Sequence, residues 1–184
     1  MHKRIGPLST GLVARMRGEW GKTVIVFSSA HGEMNGDHGM IGKATFLNGA
    51  CRVPLIVRDP QSAAGRSEAL VELMDVGATL CDFAGAQLPA TSVARSLRPT
   101  LSNPGSAHRD VVVSQIRGKT MIMDAQHKLL VNTRGEDVFL TDQIEDPKES
   151  TNLLVEGGAS DVLAEMRDQL LQFHLTNRHR AITP

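Results

Sequence analysis

Sixteen consecutive residues, SSAHGEMNGDHGMIGK (28–43), carry seven side chains that bind metals or anions or move protons: Ser28, Ser29, His31, Glu33, Asp37, His38 and Lys43. An imidazole such as His31 can ligate a metal or shuttle a proton near neutral pH. The carboxylates of Glu33 and Asp37 can act as oxygen ligands or bases. Lys43 is a compact point charge suited to an anionic oxygen. The intervening glycines let the backbone come close to a ligand. The spacing is not HExxH, which argues against a zinc-protease arrangement. Spacing alone is equally compatible with an exposed His in a polar loop that binds nothing. Ala30, in the middle of the stretch, can bind nothing.

The elements that must hold these residues can be read from the flanking pattern. TVIVFSS (23–29) is a continuous β-branched apolar run, the pattern of a strand buried on both faces. Ligands in open α/β sheets bind beyond the carboxyl ends of the strands, which is where the polar stretch lies. Residues 30–50 hold five glycines and read as a long loop. RVPLIVR (52–58) reads as a second strand, with Pro54 marking its start or an edge-like position. A helix is expected over 8–18, from the spacing of Leu8, Leu12, Val13 and Met16. Another is expected over 67–84, capped by Ser67, stopped by Gly85, with Leu70, Leu73, Met74, Gly77, Leu80 and Cys81 on one face. A Pro/Ser/Arg-rich connector runs on to about His108.

Beyond it come four short β-rich segments, 110–116, 119–124, 127–133 and 136–141, joined by the turn signals RG, DAQ and RGE. An amphipathic helix over 158–175 presents Val162, Leu163, Met166, Leu170, Leu171 and Phe173. The expected division is an α/β portion, 1–105, then a small antiparallel sheet plus helix, 106–184.

Composition narrows the function classes. The chain has 184 residues, 41% hydrophobic, with zero formal net charge. Phosphate-backbone binding needs a concentrated basic face, so no nucleic-acid or membrane-surface partner is expected. The nearest basic cluster, RHR near the C-terminus, reads as a frayed, solvated tail. Cys51 and Cys81 lack CxxC spacing and read as small buried hydrophobes. No apolar run approaches a membrane span, and MHKRIGPLST has no signal-peptide apolar region. The cytoplasm is therefore the default compartment.

The stretch TVIVFSSAHGEMNGDHGMIGKATFLNGACRVPLIV resembles the second signature of the sulfatase family, in the alkaline-phosphatase-like superfamily. That signature has an apolar strand, Ser/Thr-Asp-His/Asn-Gly-Glu, a Gly-Asp-His-Gly segment, Gly-Lys and Arg-Val-Pro-Leu-Ile. LMDVGATLCDFAG and ARSLRP resemble later family segments, with Ala78 where Pro is usual. HKLLVNT and FLTDQIEDPKESTNLL resemble the family's C-terminal subdomain, with Thr141 where Tyr is usual. The fold class implied is α/β: part of a sulfatase-like central sheet with flanking helices, then a small antiparallel C-terminal sheet and a terminal helix.

The resemblance implies hydrolysis of a small-molecule sulfate ester, or of a phosphate or phosphonate ester. It implies a divalent metal, calcium in many members, and a formylglycine nucleophile. His31 falls on a metal-ligand position. Lys43 falls on the Lys that contacts the anionic group, and His38 falls near the substrate. Both are the candidate catalytic and substrate-binding residues. Glu33 and Asp37 fall where side chains support the loop.

Two departures stand out. Ala30 occupies the position of a metal-binding Asp, and hard-cation affinity follows the number and charge of oxygen ligands. Only 22 residues precede Thr23, so the nucleophile motif Cys/Ser-x-Pro/Ala-x-Arg and an early acidic pair are expected to be missing. Cys51, followed by Arg-Val-Pro, does not fit that motif. The chain then reads either as a C-terminal segment completed by an N-terminal region or a homo-oligomer, inactive alone, or as a non-catalytic pseudoenzyme or binding module.

Overall fold

The computed structural model describes the backbone of residues 7–182 and the side chains of residue 11 and residues 13–177. Helix α1 (Pro7–Met16) and a 3-10 turn (Trp20–Lys22) lead into strand β1 (Ile25–Ser28). The polar stretch follows, then the short helix α2 (Asn48–Cys51) and strand β2 (Leu55–Arg58). β1 and β2 pair antiparallel, Ile25 opposite Arg58 and Ser28 opposite Leu55. β2 begins directly after Pro54, as a residue without an N–H dictates. Burial of this pair on both faces is not observed: Phe27 is 38% and Ile56 61% exposed. Among the described residues the two strands pair only with each other.

Helix α3 (Met74–Phe83) is shorter than the sequence predicts, and it turns the other face inward. Ser67 does not cap it, and its hydroxyl instead accepts the N–H of Ala69 two residues on. The helix starts late because the Asp75 carboxylate reaches back to the Glu72 N–H, at 2.9 Å, in the manner of a first-turn acid. The buried side chains are Asp75, Ala78 and Thr79, whereas Leu73, Met74 and Leu80 are each nearly half exposed. A polar network described below therefore fixes the helix rotation, against its apolar stripe.

Helix α4 (Arg98–Ser102) precedes a four-stranded antiparallel meander: β3 (Val112–Ile116), β4 (Lys119–Met123), β5 (His127–Val131) and β6 (Asp137–Asp142), ordered β3-β4-β5-β6. The β3–β4 turn places Arg117 and Gly118 at φ 50° and 75°, the left-handed pair of a type I′ hairpin. Helix α5 (Leu153–Glu156) and the long helix α6 (Ser160–Ile182) close the chain. The backbone of 178–180 is helical, so the expected frayed tail is not seen; those side chains lie outside the described ones. No helix of the described residues is long and apolar enough to cross a membrane.

The meander uses both faces. Ile122, Leu129 and Leu140 stand side by side in register, and all three, with Met166 of α6, are fully buried. Each contributes about 1.5–3 kcal/mol by burial. Val162, Leu163 and Leu170 extend the contact, while Leu171, expected on the same face, is 53% exposed. The period-2 alternation turns Lys128 and Thr141 to the opposite face. Phe139 on β6 packs against Met34, Leu47 and Ala50, from the polar stretch and α2. The sheet thus carries α6 on one side and the polar stretch on the other.

Candidate functional site

The polar stretch is tightly built, not a free loop. The Gly32 N–H donates to Ala50 O at 2.7 Å, and the Met34 N–H to Gly42 O at 2.9 Å. Gly36 and Asp37 N–H groups close the inner turns onto Met40 O and Met34 O. Met34 is buried, 2% exposed, and anchors the stretch in the small cluster with Leu47 and Ala50. At Gly32 the approach to α2 is so close that an added Cβ would lie 2.0 Å from Gly49 O. Only glycine fits there without a backbone shift. Asn35 and His38 adopt the left-handed conformation, φ 50° and 55°.

All five candidate side chains, His31, Glu33, Asp37, His38 and Lys43, are exposed. The His31 Nδ1 lies 2.8 Å from Gly32 O. A carbonyl only accepts, so Nδ1 carries a proton and donates. The His38 Nε2 donates in the same way to Lys148 O, at 2.9 Å and across 110 residues of sequence. The Lys43 ammonium has no hydrogen-bond or ion-pair partner among the described residues. No hydrogen bond or ion pair joins His31, His38 and Lys43 to one another. What joins them is backbone: Gly32 and Gly42, neighbours of His31 and Lys43, are each held by a bond within the same loop framework.

Two buried polar networks carry no expectation from the sequence. In the first, Lys128 is fully buried and its ammonium donates to Phe46 O (3.1 Å), Asn48 Oδ1 (2.8 Å) and Glu149 Oε1 (2.5 Å). The other Glu149 oxygen accepts the Asn48 N–H at 2.6 Å, and Asn48 Nδ2 donates to Gln143 Oε1 at 2.8 Å. Cys51 sits beside this pair and donates to Phe46 O. Burial pushes its thiol pKa up, which the Lys128 charge only partly opposes. It stays a thiol at neutral pH, in keeping with a packing role and not a nucleophilic one.

In the second network, Asp75 is fully buried and accepts from Arg109 Nε (2.9 Å), Arg109 Nη2, His108 Nε2 (3.1 Å), Arg95 N (2.8 Å) and Glu72 N (2.9 Å). Burial pushes its carboxyl up, but the Arg109 and backbone hydrogen bonds and the Arg109 charge outweigh it, holding the pKa below the usual range. Glu72 accepts the Val113 N–H at 2.8 Å, and Thr79 Oγ1 accepts the Leu97 N–H at 2.9 Å. The network ties α3 to the connector and to β3. The signal was a carboxylate and a guanidinium 34 residues apart, which no local pattern pairs.

The nucleophile motif also needs a correction. Ser62-Ala63-Ala64-Gly65-Arg66 formally satisfies Cys/Ser-x-Pro/Ala-x-Arg. It follows β2, whose carboxyl end pairs with the start of β1, so it lies at the far end of the hairpin from residues 28–43. Its Ser62 hydroxyl donates to Asp59 Oδ2 at 2.7 Å, closing a turn with the Gln61 N–H on Asp59 Oδ1. The stretch is turn chemistry.

A concavity of about 520 Å³ lies elsewhere, lined by Glu68, Arg109, Asp124, His127 and Glu165 among others, and includes no residue of 28–43. Among the described residues no group of three or more His, Cys, Asp or Glu side chains could hold a metal ion. His31 Nε2 with a methyl group at position 30 does not make a site for a hard divalent cation, which takes six or more oxygen ligands in the case of calcium.

Comparison with known proteins locates the architecture. The family profile described as N-sulphoglucosamine sulphohydrolase, C-terminal, matches residues 36–176. Arylsulfatase K of Xenopus laevis is 30% identical over 167 residues, covering 82% of this chain and 31% of that protein. An arylsulfatase of Clostridium perfringens is 31% identical over 152 residues, 74% of this chain and 31% of that protein. The structure of BT4656 in complex with its substrate, D-glucosamine-2-N,6-O-disulfate, superposes with a TM-score of 0.83 at 25% identity, over 92% of this chain and 37% of that one. The phosphonate monoester hydrolase SpPMH of Silicibacter pomeroyi gives 0.81 at 25% identity, over 91% and 38%. The chain spans about a third of the length of the relatives it matches.

Proposed function

Because the chain belongs to the sulfatase family, we propose that it supplies the anion-contacting loop of a sulfuric ester hydrolase. The observation that supports this reading is the superposition on a protein bound to a sulfated sugar, together with the backbone hydrogen bonds that hold the 28–43 loop. In this reading Lys43 places its unpartnered ammonium against an ester or sulfate oxygen and opposes the charge that develops there. His38, held at Nε2 by Lys148 O, presents its remaining ring nitrogen beside the substrate. A phosphonate or phosphate monoester offers Lys43 the same anionic oxygens, as the likeness to SpPMH suggests.

Family members use a divalent metal, and the resemblance puts His31 on a ligand position. The donors among the described residues do not hold a divalent ion by themselves. Residues 28–43 contain no match to the nucleophile motif. We infer that these 184 residues alone turn over no aryl sulfate, and that 1–105 and 106–184 act together with further chain of the sulfatase fold. Phe27, Ile56, Leu73, Met74 and Leu80 are exposed apolar side chains available for that chain to cover. Ala30 favours a second reading, a non-catalytic binding module that keeps the anion loop and has lost the metal.

Two outcomes are expected. Titration with an aryl sulfate, followed by NMR, gives saturable shifts at Lys43 that Lys43→Ala abolishes; an unchanged isotherm in the variant removes Lys43 from the site. Ala30→Asp adds a carboxylate beside His31 and is expected to raise divalent-metal affinity above that of the parent, since such affinities follow the number and charge of oxygen ligands. Identical calorimetric isotherms for the parent and substituted chains remove position 30 from the metal site.

A further inference from the structure

We propose that Lys128 and Glu149 are positioning residues that dock the anion loop on the antiparallel sheet and set where His31 and Lys43 stand. The proposal rests on the functional reading of that loop given above.

A fully buried ammonium on a strand is costly, and strand β5 would pair and pack as well with an apolar residue there. Lys128 has instead three acceptors, and two of them, Phe46 O and Asn48 Oδ1, belong to the segment that leads from the loop into α2. Glu149 closes the circuit by accepting the Asn48 N–H. From α2 the connection runs to both candidate residues. Ala50 O accepts from Gly32, next to His31. Ala50 and Leu47 pack on Met34, whose N–H donates to Gly42 O, next to Lys43. Each candidate is one residue from a hydrogen bond in the framework that Lys128 secures.

The neighbouring backbone points the same way. Glu149 holds a left-handed conformation, φ 58°, which is uncommon for a residue with a Cβ. Both its carboxylate oxygens are engaged, and the preceding residue, Lys148, accepts the hydrogen bond from His38. One two-residue segment thus holds the loop at His38 and α2 at Asn48. No other charged pair among the described residues joins the polar stretch or α2 to the meander.

The test is hydrogen exchange on the whole chain with Lys128→Met, which keeps the apolar stem and removes the charge. Amides of Gly32, Met34 and Ala50 are expected to exchange at least about tenfold faster, while β4 and β5 amides such as Ile122 and Leu129 stay within about twofold, because local opening spares the rest of the structure. Aryl-sulfate affinity through Lys43 should fall alongside. Loop protection equal to the parent's overturns the proposal, and so does an equal loss in loop and sheet, the mark of a merely structural pair. Should Lys128→Met fail to fold, Lys128→Met/Glu149→Gln leaves no buried charge unpaired and is read by the same two sets of amides. A parent chain that binds no aryl sulfate counts against the functional reading, and the exchange rates still decide the docking.

Discussion

Asp75→Ala is expected to cost about 3–5 kcal/mol of stability, the range for removing one partner of a buried charge pair. The carboxylate has no exposure and satisfies Arg109, His108 and two backbone N–H groups at once. Without it the Arg109 guanidinium stays buried, with Glu72 at 3.3 Å as its remaining carboxylate. The connector also loses its bond at Arg95 N, and the first turn of α3 loses its cap. Urea denaturation of parent and variant measures the difference, and a loss under about 1 kcal/mol would mean that the site relaxes around the gap.

The same residue predicts a pH dependence. Its folded pKa lies below the ordinary 3.8, so the unfolded chain takes up the proton more readily. Stability from Asp75 is therefore complete above about pH 3.8 and is lost as the pH falls through the lower folded value. Asp59, Asp82 and Asp142 have the same sign, so the parent should lose stability throughout this acid window. An Asp75→Asn chain should lose less over the same window, and parallel curves would contradict the assignment.

Gly32→Ala is the second large effect, about 3 kcal/mol, the upper end for a forced methyl in a packed region. The new Cβ would meet Gly49 O at 2.0 Å and Gly49 C at 3.1 Å, and both atoms are backbone. The loop cannot retreat without giving up the Gly32–Ala50 hydrogen bond. The disturbance should centre on the anion loop and α2. Thermal unfolding checks the magnitude, and amide shifts confined to 28–51, with Ile122 and Leu129 unmoved, check the location. A variant as stable as the parent would show that the contact is looser than described.

Local pattern carried a large part of the fold. The Arg117-Gly118 turn, the Pro54 boundary and the alternation of the four meander strands each depend on one or two neighbouring residues, and each is where the sequence places it. Where long-range polar contacts decide, local pattern misleads. Helix α3 has an apolar stripe, yet Asp75 and Thr79 face inward because Arg109 and the Leu97 N–H wait there. Lys128, in HKLLV, has the periodicity of a solvent-facing strand residue, and Glu149, Asn48 and Phe46 O make its burial tolerable. The polar loop was legible as a unit, and its glycine at position 32 now has a steric reason. Its dependence on the sheet was not legible, since His38 meets Lys148 O only through the fold.

The central claim is that this loop binds the anionic end of a sulfate ester through Lys43. The most direct measurement is an aryl-sulfate titration of the chain, followed by NMR at the Lys43 side chain, with an assay for released sulfate on the same samples. The account predicts saturable binding at Lys43 that is lost in Lys43→Ala, with no sulfate released. Shifts absent at Lys43, or binding unaffected by its removal, would contradict the anion-loop assignment. Sulfate released by the pure chain would contradict the claim that its nucleophile lies elsewhere.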